Sequence, residues 1–112
     1  MAFSDLWDNF SVSVKEGLPD LTQNTIGGFL PQAEADAVAF LEATGKKLRR
    51  WGDLLAEQQI TVKEFEFLLV SQRDLATLHA LTATGVALTR IERFRTGFIS
   101  LILKSAFSVI GL

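Results

Sequence analysis

Six consecutive residues, Lys46-Lys47-Leu48-Arg49-Arg50-Trp51, form the densest basic run in the chain, and cations beside an aromatic ring are the side chains that bind phosphates and stack on bases. Two acids argue for a different role. Glu42 stands four residues before Lys46 and Asp53 four after Arg49, the spacing of helical ion pairs. Lys46, Lys47, Arg49 and Arg50 are therefore expected to form a weak anion patch on a solvated face, with no specific nucleic-acid binding. Arg90, Arg93 and Arg95 make a second cluster, expected about 30 Å along the helix axis from the first.

Little else in the sequence could do chemistry. His79 is the only histidine, and the chain has no cysteine and no tyrosine, which removes most general bases, nucleophiles and metal ligands. At helical spacing His79 is flanked by Leu75 and Ala83, so a partly buried structural histidine is expected. The di-metal pattern of helical bundles needs Glu-x-x-His, whereas Glu64 and Glu66 are followed three residues later by Phe67 and Leu69. Gly27-Gly28 lacks both the preceding strand and the following Lys-Ser/Thr of a phosphate loop. The expectation is a protein that is not an enzyme, with no catalytic residue, cofactor or metal site.

The composition is that of a folded domain. Of 112 residues 48% are hydrophobic and 21% charged, which excludes a solvating disordered segment. A formal charge of -2 excludes a uniformly basic surface, and the absence of cysteine excludes a disulfide framework. The first ten residues carry Asp5 and Asp8 but none of the basic and apolar regions of a secretory signal, so a cytoplasmic protein is expected. No apolar run reaches the roughly 18 residues of a membrane span.

The elements that position these residues read as an all-α single domain over 1–112: a short N-terminal helix and an antiparallel hairpin of two long helices. Ser4 can cap a first helix over about 5–16, with Phe3, Leu6, Trp7, Phe10 and Val14 near one face and Gly17 ending it. Pro19 and the Gly27-Gly28 pair make 18–30 a connector. Pro31 suits the first turn of a second helix over about 31–58, along which Val38, Leu41, Gly45, Leu48, Gly52 and Leu55 form one narrow seam. Its two glycines suggest close approach of another backbone. Thr61-Val62-Lys63-Glu64 has the form of a capping box, and no proline follows, so a third helix is expected over about 62–110. A turn near residue 60 would set Ala76, Ala80, Ala83 and Ala87 against Ala43, Ala39, Ala35 or Ala37, and Ala33, and Asp74 against Lys46. On the same count, residues 90–112 overhang the hairpin.

The C-terminal segment departs most from an ordinary surface helix. In residues 98–112 only Ser100, Lys104 and Ser108 recur as a polar stripe, leaving an apolar face far wider than the roughly 100° that such a helix buries. The first helix, if short, cannot cover it. Phe98, Ile99, Leu101, Ile102, Phe107, Val109 and Ile110 are therefore the candidate interface, and a structural or assembly subunit, homo-oligomeric or bound to a protein partner, is the expected function. A membrane-surface or hydrophobic-ligand binding helical protein, with peripheral membrane contact, is the alternative. Size, absent cysteine and a hairpin are shared with the WXG secretion substrates, but here Trp51-Gly52 is contiguous and mid-helix, so no family is recognised.

Overall fold

A computed structural model describes residues 2–111, without the side chains of Asp74 and Ala76. It is all-α, a bundle of long helices packed on one another. A 3-10 turn, Phe3–Leu6, leads into α1, Trp7–Thr25, which is followed by α2, Leu30–Ala56, and by four further segments: α3, Val62–Val70, α4, Arg73–Thr77, α5, His79–Thr82, and α6, Leu88–Ile110.

The first helix does not stop at Gly17. It runs through Pro19 to Thr25, so the expected connector over 18–30 shrinks to the turn before Leu30. A proline inside a helix removes one hydrogen bond and costs about 3 kcal/mol. Here it lies on the exposed side, while Phe10, Val14 and Leu18 are buried on the other, and that packing holds the helix together. Gly27, at φ +82°, then ends it, donating its N–H to the Thr22 carbonyl at 3.0 Å.

Along α2 the seam is present: Leu41, Gly45, Leu48, Gly52 and Leu55 are buried, while Val38 at its head is exposed. What approaches the glycines is aromatic rather than backbone. A Cβ on Gly52 would overlap the Phe3 ring, and one on Gly45 would stand 3.8 Å from the Trp7 indole. Phe3 meets Trp7 and Phe10 in T-shaped contacts and Trp7 is tilted on Phe10, with centroids 5.2–6.3 Å apart, and this cluster docks the N-terminal segment on the second half of α2.

The capping box forms as expected: the Thr61 hydroxyl accepts the Glu64 N–H at 3.1 Å and the Glu64 carboxylate accepts the Thr61 N–H at 3.0 Å. The helix it starts does not reach residue 110. It breaks after Val70, again at Leu78 in the left-handed region (φ 41°), and around Gly85 (φ 81°). An unbroken helix over 62–110 would be about 73 Å long; the longest extent of the molecule is 41 Å. The breaks fold Leu75, Leu78 and Leu81 into the core. Asp36 of α2 fixes them there, its carboxylate accepting the N–H groups of Ala80 at 2.8 Å and Leu81 at 2.9 Å and so capping α5 from 44 residues away.

The expected alanine register fails with the helix. Ala35, Ala39, Ala43, Ala83 and Ala87 are exposed, Ala80 is half-buried, and among the described members only Ala33 and Ala37 are buried. The proposed facing of Ala76, and of Asp74 to Lys46, lies outside the described residues.

Released by these breaks, α6 turns back along α1 rather than overhanging. The two are antiparallel, with facing positions adding to 118: the Ser13 hydroxyl donates to Ser105 Oγ at 2.9 Å, Leu101 fills the space left by Gly17, and Leu21 fills that left by Gly97. Each helix thus gives a leucine to the other's glycine. The polar stripe of Ser100, Lys104 and Ser108 faces solvent, as its spacing requires. Phe98 stacks on Phe94 and meets Phe40 of α2 edge-on, closing the core between α1, α2 and α6.

Candidate functional site

The candidate interface on α6 is largely interior. Phe98 and Ile102 are 0% exposed within the single chain, which corrects their assignment to a contact between molecules. Leu101 seats on Gly17, and Ile99, Phe107, Val109 and Ile110 are half-buried against the same core. The reason is that α6 folds back along α1: residues 8–17 face 101–110, and the turns of α1 carried past Pro19 face 93–100, Phe98 among them.

The bare apolar face is on α3 instead. Phe65 and Leu69 are buried against the bundle, yet Phe67 on the opposite side is 72% exposed and Val70 beside it 54%; Val62, at the start of the helix on the side of Phe65, is 41% exposed. Lys63 and Glu66 are exposed among them, and a shallow cleft of about 290 Å³ runs beside Phe67 between Ile60, Lys63, Glu64 and Leu68. A helix apolar on all sides needs cover on all sides. The signal was present in Val62-Lys63-Glu64-Phe65-Glu66-Phe67-Leu68-Leu69-Val70, where six apolar residues at 100° each go right round the helix; reading 62–110 as one long helix hid it.

The basic run is split by its own helix. Lys46, Lys47, Arg49 and Arg50 are exposed, whereas Trp51 is buried and cannot stack on a base. Among the described residues neither expected ion pair forms. Asp53 accepts the Ser4 N–H at 2.8 Å, and the Arg49 guanidinium lies over the Trp7 ring, 4.5 Å from its centroid. Lys46 and Arg49 border a cleft of about 360 Å³ between α1 and α2, to which α1 adds Lys15; Lys47 and Arg50 are not part of it. Two members of the second basic cluster have structural roles, Arg90 donating to the Ile26 carbonyl at 3.4 Å and Arg95 donating to the Leu75 carbonyl at 3.0 Å and pairing with Glu92, while Arg93 is exposed.

His79 opens α5 with its side chain exposed rather than partly buried, because the break at Leu78 turns it away from Leu75. Among the described residues no three His, Asp or Glu side chains are grouped to hold a metal ion, and no helix is long and apolar enough to cross a membrane. Comparison with known proteins finds no family, no curated protein and no solved structure that matches this chain.

Proposed function

We propose that this chain is a structural subunit that associates with a second copy of itself through the outer face of α3, without enzymatic activity. The observation that carries the reading is Phe67, 72% exposed beside exposed Val70 on a helix whose other face is core. An isolated exposed apolar residue needs no explanation, but a Phe-centred patch with charged neighbours is the composition of an interface centre and rim.

The charges on this face are self-complementary. A two-fold, antiparallel pairing that sets Lys63 against Glu66 of a second copy sets Glu66 against its Lys63 as well, with Phe67 and Val70 beside the pair on the same face. A helix of nine residues is about 14 Å long and offers less than the roughly 800 Å² per partner of a standard interface, so the dimer is weak and reversible. With Phe98 and Ile102 enclosed by α1, association passes through α3 rather than through the C-terminal segment.

Sedimentation over a concentration series tests this. Wild type is expected to move from monomer towards dimer, and Phe67→Glu to remain monomeric with an unchanged melting temperature. Lys63→Glu alone and Glu66→Lys alone should each dimerise less, and the two mixed should form a heterodimer. Wild type that stays monomeric at several hundred micromolar refutes the reading, and a monomer that binds lipid vesicles through Phe67 would replace it with the membrane-surface alternative.

A further inference from the structure

The cleft between α1 and α2 has the makings of a ligand site that is separate from the α3 face. Three cations reach it from two helices: Lys15 from α1, Lys46 and Arg49 from α2. Glu42 is the one carboxylate on its lining, leaving an excess of two positive charges, and among the described residues none of the three cations has an ion-pair partner. Like charges are not ordinarily gathered around a concavity, where low-dielectric walls focus the field and attract anions.

Two small residues open the space. Gly45 has no side chain to place in it, and the nearest atom a Cβ would meet is the Trp7 ring at 3.8 Å; across from it stands Ser11, with a hydroxyl to offer. Val38 and Leu41 supply an apolar wall beside the Trp7 ring. Arg49 is already seated over that ring, so its guanidinium does not have to be ordered when a ligand arrives. At about 360 Å³ the cleft falls near the lower end of small-molecule sites, which run from roughly 300 to 1,000 Å³.

We infer that this cleft binds a small organic anion, a phosphate monoester or carboxylate carrying a flat apolar group, with Lys15, Lys46 and Arg49 on the anion and Val38 and Leu41 against the apolar part. The same chemistry is presented by a soluble metabolite and by the headgroup region of an acidic lipid.

Calorimetric titration with 1-naphthyl phosphate tests the site, with 1-naphthol and inorganic phosphate as the two halves of the probe. One-to-one binding is expected, stronger than either half alone. Lys15→Gln/Arg49→Gln should weaken it at least tenfold, the order expected for lost hydrogen bonds to a charged group. Lys47→Gln/Arg50→Gln removes the same charge from the same region but off the cleft, and should leave it within about twofold. Gly45→Leu, which adds no charge, should block the cleft, with circular dichroism confirming an intact fold. Equal losses in the two double variants, naphthol binding as tightly as its phosphate, or full binding by a folded Gly45→Leu would each overturn the site. Competition by monomeric dihexanoyl phosphatidic acid assigns the site to a lipid headgroup, and absence of competition assigns it to soluble anions; either result follows only once the cleft variants have lost binding.

Discussion

The carboxylate of Asp36 is asked to do what a local N-cap does elsewhere, and its removal should be correspondingly costly. It is 7% exposed, and its two oxygens accept the N–H groups of Ala80 and Leu81 at 2.8 and 2.9 Å. Hydrogen bonds to a charged group are worth about 1.5–3 kcal/mol each net. Asp36→Ala removes both and should destabilise the fold by about 3–6 kcal/mol on that scale. Asp36→Asn keeps one acceptor but turns an amide N–H towards the other donor, so about 1.5–3 kcal/mol is expected. A domain has a total stability of only about 5–15 kcal/mol, so the alanine variant should be close to its limit at 37 °C. Urea unfolding followed by circular dichroism gives the two values. Amide hydrogen exchange gives their location: Ala80 and Leu81 should lose protection in Asp36→Asn, while Gly97 and Leu101 of α6 keep theirs. An asparagine variant within 0.5 kcal/mol of wild type, or one less stable than the alanine variant, would refute the assignment of Asp36 as the cap of α5.

Two glycines of one seam should respond in opposite directions. Gly45→Ala meets only an ordinary contact at 3.8 Å and gains helix propensity, for a stabilisation of up to about 1 kcal/mol by thermal or urea unfolding. Gly52→Ala must displace a Phe3 ring held by Trp7 and Phe10, and should lose about 1–3 kcal/mol in the same assay. Thr22 is buried with no partner for its hydroxyl among the described residues, so Thr22→Val should raise stability by about 1 kcal/mol. Exchanging the packing pair as Gly17→Leu/Leu101→Gly should recover stability lost in Gly17→Leu alone, which a double-mutant cycle measures directly.

What could be read from the chain was what neighbouring residues decide. Thr61 and Glu64 announce their capping box because both partners lie within four residues, and Pro31 and the 3-4 spacing from Leu41 to Leu55 are signals of the same short range. The stripe of Ser100, Lys104 and Ser108 likewise faces solvent. Partners distant in sequence decide the rest. Gly17 and Pro19 read as breakers until Leu101 and the apolar face of α6 are set against them, and nothing near Leu78 names Asp36 as the residue that will hold its left-handed turn. Gly85 supplies the left-handed conformation of the last break, a local signal that the sequence reading did not use. The site followed the same division: the exposure of Lys46 and Arg49 was readable from spacing, their convergence with Lys15 and Trp7 was not. The apolar width of residues 98–110 was real, but width alone does not say whether the cover comes from the same chain or another.

The pairing of α1 with α6 also fixes an order of events during synthesis. The Ser13–Ser105 bond spans 92 residues, and closing such a loop costs about 4 kcal/mol in chain entropy before any contact is gained. At roughly 5–20 residues per second, the ribosome takes on the order of 3–12 s to make the stretch between the two helices. Throughout that interval Val14, Leu18 and Leu21 have no α6 to pack against. Of the helices that α1 packs on, α2 is made first, so the earliest half-built species is an α1–α2 hairpin whose α6-facing side is open. That species, rather than the finished bundle, is where aggregation and chaperone capture of this chain should begin.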